Sequence, residues 1–159
     1  METREGLAVG DLDLRREYPN QPIVGVGALI IDEGKLVLIK RGVEPRKGKW
    51  SIPGGAVELG EKVREAVVRE AEEESGLKVE ITTDRPLDTV DNIIEDENKR
   101  LQYHYVLLQF VTRPKSGTLN PGGDALEARW VLFNEVETYD LTDSFRSFFK
   151  EHRSELVEF

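Results

Sequence analysis

Four of the nine residues in REAEEESGL, Arg69 to Leu77, are glutamate, in a chain that already carries a formal charge of -9. On a helix turning ~100° per residue, Val63, Ala66, Val67 and Ala71 define an apolar stripe, and Glu70 and Glu74 fall inside it. Glu73 lies on its edge, whereas Glu65, Arg69 and Glu72 project to the opposite, water-facing side. Two carboxylates one turn apart on a buried-facing stripe are costly unless a cation meets them, because burial and like charge both penalise the ionised form. A divalent ion is the economical candidate. With no cysteine in the chain and no histidine nearby, the donors favour a hard cation such as Mg²⁺, with Mn²⁺ able to substitute. Mg²⁺ usually shares its shell with waters and substrate phosphates, so the pattern points to phosphate chemistry. The competing reading is a solvated acidic face knit by pairs such as Arg69–Glu73. The position of Glu70 and Glu74 in the stripe argues against it.

Such a platform needs a helix held against a sheet. KVREAVVREAEEES is the most helix-prone segment of the chain, and Gly76 is placed as its left-handed stop. Upstream, IVGVGALIID and KLVLIKRG read as a hairpin around Asp32-Glu33-Gly34. VEPRKGKWSIPGGAVELGE is rich in Gly and Pro and is expected to be mostly loop, with short strands near Trp50–Ile52 and Ala56–Val57. Downstream, LKVEITTDRPLDTVDNII suggests a bent or interrupted strand, RLQYHYVLLQFVT a long strand, RPKSGTLNPGGD a loop and EARWVLF a further strand. Thr142 or Asp143 is expected to cap a last helix whose stripe of Phe145, Phe148, Phe149, His152 and Leu156 suits a core or a homodimer contact. This order predicts an α+β fold with helices packed on a mixed sheet.

The 159 residues, 38% of them hydrophobic, suit one domain, with residues 1–17 a polar leader of uncertain order. The lack of cysteine excludes disulfides, thiolate nucleophiles and cysteine-ligated metals. No run approaches the roughly 20 apolar residues that span a bilayer, so a cytoplasmic protein without membrane partners is expected. An excess of 31 acidic over 22 basic residues repels nucleic-acid polymers and leaves a small phosphorylated ligand as the expected partner.

From Gly55 the sequence GGAVELGEKVREAVVREAEEESGL resembles the Nudix box: Gly55, five residues, Glu61, seven residues, Arg69-Glu70, an apolar residue, any residue, Glu73-Glu74, any residue, Gly76 and an apolar residue. Seven fixed positions match by chance on the order of 10⁻⁸ per starting point at average composition. GKWSIPGG before the box, YHYVLLQF after it and GGDALEARWVLFNEV near the end extend the resemblance over about Tyr18 to Tyr139. Together they look most like the ADP-ribose-pyrophosphatase-like branch. The resemblance implies an α/β/α sandwich with a mixed central sheet. It also implies a Mg²⁺-dependent hydrolase that cleaves the pyrophosphate of a nucleoside diphosphate linked to another moiety.

Carried over residue by residue, the resemblance makes Glu70, Glu73, Glu74 and the Gly55 carbonyl the metal ligands. Arg69 is expected to orient helix and loop through an ion pair with Glu61. For the general base the candidates are Glu70 and, in the Gly-rich loop before ARWV, Asp124 and Glu127. Arg41 and Arg46, in a basic run with Lys47 and Lys49, are expected to steer phosphates, and Trp50 and Tyr103 to stack on a base. His104 is read as structural. The rival functions are house-cleaning hydrolysis of nucleoside triphosphates and a non-catalytic nucleotide sensor. The intact box glutamates, and a length that leaves no room for an added DNA-binding domain, argue against the sensor.

Overall fold

The structure is a computed structural model and describes residues 15–159, so most of the expected leader lies outside the described residues. Strands β1 (Ile23–Asp32) and β2 (Lys35–Arg41) form the expected hairpin, pairing Ile31 with Leu36 and Asp32 with Lys35. Glu33 and Gly34 both take positive φ, 48° and 73°, the primed geometry whose twist matches paired strands.

Beyond that turn the two strands part. β1 runs parallel to β7 (Leu101–Gly117) from Ile23↔Tyr105 to Ile30↔Thr112, and antiparallel to the short β4 (Gly54–Ala56). β2 instead pairs antiparallel with β3 (Trp50–Ser51) and β8 (Ala125–Leu132). β5 (Leu77–Ile81) and β6 (Asp88–Glu95) pair antiparallel with opposite ends of β7, which completes a mixed sheet of eight strands. The interrupted strand of the sequence reading is thus two strands.

Both faces of this sheet are covered, which is why β1 reads as a nearly continuous apolar run. Val26, Ala28 and Ile30 pack with Ala66, Val67 and Ala71 of helix α1 (Val63–Ser75). The alternate residues Leu29 and Ile31 pack with Phe145, Phe148, Phe149 and Leu156 of helix α2 (Asp143–Leu156). The C-terminal stripe is therefore core, and the chain is an α/β/α sandwich. Thr142 caps α2 by accepting from the Phe145 N–H at 3.3 Å. Gly76 ends α1 at φ 75°, its N–H donating to the Glu72 carbonyl at 2.9 Å. Among the described residues, no helix is long and apolar enough to cross a membrane.

Three details differ from expectation: the short strand expected near Ala56–Val57 is Gly54–Ala56, a 3-10 turn spans Phe133–Thr138, and RPKSG, read as loop, continues β7 to Gly117. Pro114 lies opposite Val79 at a register shift, where the missing N–H disturbs the ladder least.

Candidate active site

The β1–β4 pair brings Gly54 and Gly55 against the flank of α1. The Gly54 N–H donates to Glu74 Oε1 at 3.3 Å, and a Cβ on Gly55 would lie 2.5 Å from Glu70 Oε1. A bare backbone is what allows the two carboxylates to sit this close to it. Glu74 is buried, with 6% of its surface exposed, and Glu70 is half-buried, as the stripe predicts. Burial, and next the charge of Glu70, push the Glu74 carboxyl up to about 8. Glu65 and Glu72 are exposed.

Arg69 corrects the helical projection. Rather than facing water, its side chain is only 24% exposed, because the loop between β4 and α1 folds back over it. Its Nε and Nη2 donate to the two oxygens of Glu61 at 2.7 and 2.8 Å, a bidentate pair that holds the Glu61 carboxyl down at about 2. Nη1 donates to Glu70 at 2.7 Å and to Glu73 at 3.4 Å, and Nη2 to the Ala56 carbonyl at 3.2 Å. One guanidinium thus ties together loop, strand and two acids of the helix, and Glu61 also accepts from the Glu58 N–H at 3.1 Å.

These groups open on a cleft of about 600 Å³, a size that suits a small-molecule ligand. Glu70, Glu73, Glu74, Gly55, Arg41, Arg46 and Asp124 all line it. The Gly42 N–H bonds the Asp124 carbonyl at 2.8 Å and so ties the Gly-rich loop to the end of β2, while Gly122 abuts the Glu73 carbonyl.

Three expected site residues lie elsewhere. Trp50 is 8% exposed and belongs to the core on the α2 side, edge-on to Tyr139 at 5.0 Å and covered by the Arg129 guanidinium. Tyr103 is buried and does not line the cleft; Tyr105, two residues further along the same face of β7, does. Glu127 is cross-strand partner to Lys40 and pairs with it at 3.5 Å and with Arg129 at 3.0 Å, outside the cleft. Sequence reasoning overlooked Gln109 and Asn92, which also line the cleft. Alternation with Tyr105 was the available signal for Gln109.

The acid platform suits a hard divalent cation: a buried carboxylate pressed against another, with only oxygen donors around it. Glu73 is the least committed member, since its side chain is 53% exposed and leans on Arg69. Among the described residues, Asp88, Glu151 and His152 are the one set of three such side chains whose ligand atoms lie within 4.8 Å of one another, and none lines the cleft. Both His152 nitrogens there face carboxylates, Nε2 with Asp88 at 2.8 Å and Nδ1 with Glu155 at 3.1 Å, a pairing that ties β6 to α2.

The family described as the NUDIX domain matches residues 21–151. The chain belongs to the Nudix family. An ADP-ribose pyrophosphatase of Methanocaldococcus jannaschii is 35% identical over 79% of this chain and 70% of its own length. A nucleoside triphosphatase, NudI, of Klebsiella pneumoniae is 33% identical over 74% of this chain and 87% of its own. Among solved structures, a MutT Nudix hydrolase from Burkholderia pseudomallei superposes with a TM-score of 0.68 at 30% identity, covering 87% of this chain and 98% of that one. Pyrophosphohydrolysis is therefore the enzyme class of this Nudix chain, and Arg69, Glu70, Glu73 and Glu74 stand at the box positions on α1.

Proposed function

We propose that this Nudix protein is a Mg²⁺-dependent hydrolase that cleaves the pyrophosphate of a nucleoside diphosphate joined to another moiety, with an ADP-ribose-like substrate. The observation that carries the reading is the buried Glu74 held beside Glu70 at the glycine-bared edge of the cleft. The M. jannaschii relative supports the substrate class.

Glu70 and Glu74, with Glu73 and the Gly55 carbonyl in support, would hold Mg²⁺ or Mn²⁺. When bound, the ion supplies charge neutralisation of the diphosphate and a water of lowered pKa. Arg69 holds Glu70 in place and clamps it to the loop through Glu61. Arg41 and Arg46 attract the phosphates into the cleft of an otherwise acidic protein. Of the three candidates for taking the proton of the attacking water, Asp124 and Glu70 line the cleft, whereas Glu127, tied to Lys40 and Arg129, lies outside it.

The second reading, hydrolysis of nucleoside triphosphates, is favoured by the K. pneumoniae relative. A panel of ADP-ribose, nucleotide sugars, dinucleoside polyphosphates and (d)NTPs with Mg²⁺ or Mn²⁺ separates the two. ADP-ribose should give the highest kcat/KM, and turnover should be lost in EDTA and in Glu74→Gln. Turnover that persists in EDTA would sink the metal-carboxylate mechanism, and preference for a triphosphate would replace the substrate class.

A further inference from the structure

The cleft has a second half, on the sheet face opposite the acid helix. Along β1, Gly25 and Gly27 belong by alternation with Leu29 and Ile31 to the face that α2 covers. Their neighbours on β7 are Leu107 and Gln109. A Cβ on Gly25 would lie 2.7 Å from Leu107 Cδ2, and one on Gly27 would overlap Gln109 Oε1. Both β7 side chains therefore lean across bare backbone, toward β4.

Gln109 is the unusual member of this surface. It is 5% exposed, and its Oε1 is a fully buried acceptor with no hydrogen-bond partner. Buried polar atoms are nearly always partnered, because water's hydrogen bonds must be replaced. Here the orphaned oxygen belongs to a residue that lines the cleft, beside Tyr105, Leu107 and Asn92. The protein thus supplies no donor for this acceptor, which lies over the bare backbone of Gly27, itself part of the cleft wall.

Its position relative to the acids is set by the sheet. Gln109, Gly27 and Gly54 form one row across β7, β1 and β4, and the Gly54 N–H bonds Glu74. At ~4.8 Å per strand the row is about 10 Å long, comparable to the distance from a phosphate to the sugar and ring of the same nucleotide. The floor is glycine, and Tyr105 and Leu107 give it apolar walls, as a flat ring requires.

We infer that Gln109 is a specificity-determining residue: its carboxamide oxygen accepts a hydrogen bond from an N–H or O–H donor on the nucleoside end of the substrate whose diphosphate lies on the acid platform. The inference rests on the hydrolase reading above. A ring amine and a sugar hydroxyl share this chemistry, and the experiment tells them apart. Sites built to bond such a donor reject analogues that lack it, because the buried acceptor is then left unpaired.

The test is calorimetric titration of the full chain with AMP in Ca²⁺, which occupies carboxylate sites, and with three AMP analogues that lack the 6-amino, 2′-hydroxyl or 3′-hydroxyl group. In the wild type one analogue should bind about tenfold or more weakly than AMP. In Gln109→Met, which keeps the shape and removes the acceptor, AMP should weaken to the level of that analogue and the ratio between the two should fall to about one. Because the variant removes an unpaired buried group, its melting temperature should not fall; Gln109→Leu replaces it if it fails to fold. Equal wild-type affinity for AMP and all three analogues overturns the inference, as does an unchanged ratio in the variants. Absence of AMP binding by a wild type that hydrolyses ADP-ribose overturns it as well, and in each of these cases the hydrolase reading stands. Loss of both hydrolysis and nucleotide binding in the wild type removes that reading, and the inference with it.

Discussion

Gly55 and Glu70 meet so closely that a single added carbon on the glycine would sit 2.5 Å from a carboxylate oxygen. The atom it would displace is the end of a flexible side chain, so the fold can yield where the site cannot. In Gly55→Ala, kcat/KM should drop about 10²-fold, the usual cost of misplacing a catalytic group by about 1 Å. The melting temperature should stay within a few degrees of wild type. Undiminished turnover by the Gly55→Ala variant would show that Glu70 need not hold this position.

Arg69 should tolerate lysine poorly. The guanidinium makes a two-pronged bond to Glu61 while also reaching Glu70 and Ala56, and an ammonium has neither the fork nor the reach. Arg69→Lys is expected to lose about 1–3 kcal/mol of stability in urea unfolding, since Glu61 and Glu70 are left incompletely paired. Its kcat/KM should fall about tenfold or more as Glu70 loosens. A lysine variant with wild-type stability would mean that water replaces these bonds without cost.

Glu70 and Glu74 are legible in the sequence as a pair on the buried-facing stripe, because helical periodicity and box spacing are local properties. The same projection turns Arg69 to water; the expected pair with Glu61 forms, but the loop that carries Glu61 also covers the guanidinium, a tertiary feature that no helical wheel contains. Trp50 and Tyr103 show the complementary limit: an aromatic beside a motif has the composition of a base-stacking residue, and only the packing of α2 and β7 decides that both are buried. Alternation puts Gln109 on the face of Tyr105, but its place over the cleft wall depends on Gly27, far away in sequence, having no side chain.

Away from the cleft, the bond between Asp88 of β6 and His152 of α2 should give stability a pH dependence. Burial alone would lower the His152 pKa, but hydrogen bonds to Glu155 and Asp88 outweigh it and hold the imidazole above its ordinary value. A raised folded pKa means that the stabilisation is complete below the unfolded value of about 6.5 and disappears as pH rises through the folded one. Asp88, held low first by the Thr89 N–H and then by His152, contributes in the opposite sense and loses its share as pH falls below about 4. Melting temperatures measured from pH 5 to 9 should decline on the alkaline side, and Asp88→Asn should flatten that decline. A slope identical in the variant would rule out this pair as its source.

Glu74→Gln should separate function from stability. The wild-type carboxylate is buried next to Glu70, so without a cation burial and the charge of Glu70 both raise the cost of ionising Glu74. An amide keeps the shape and can still accept from the Gly54 N–H, but carries no charge. In EDTA the variant should therefore be as stable as the wild type or more so, by about 1–3 kcal/mol. With Mg²⁺ added the order should reverse, because ligand binding stabilises the wild type by about 2.7 kcal/mol at one hundred times Kd and the variant binds weakly. Calorimetric scans of both proteins in EDTA and in Mg²⁺ read this directly. If Mg²⁺ raises the two melting temperatures equally, Glu74 is not a ligand, and the buried acid needs another explanation.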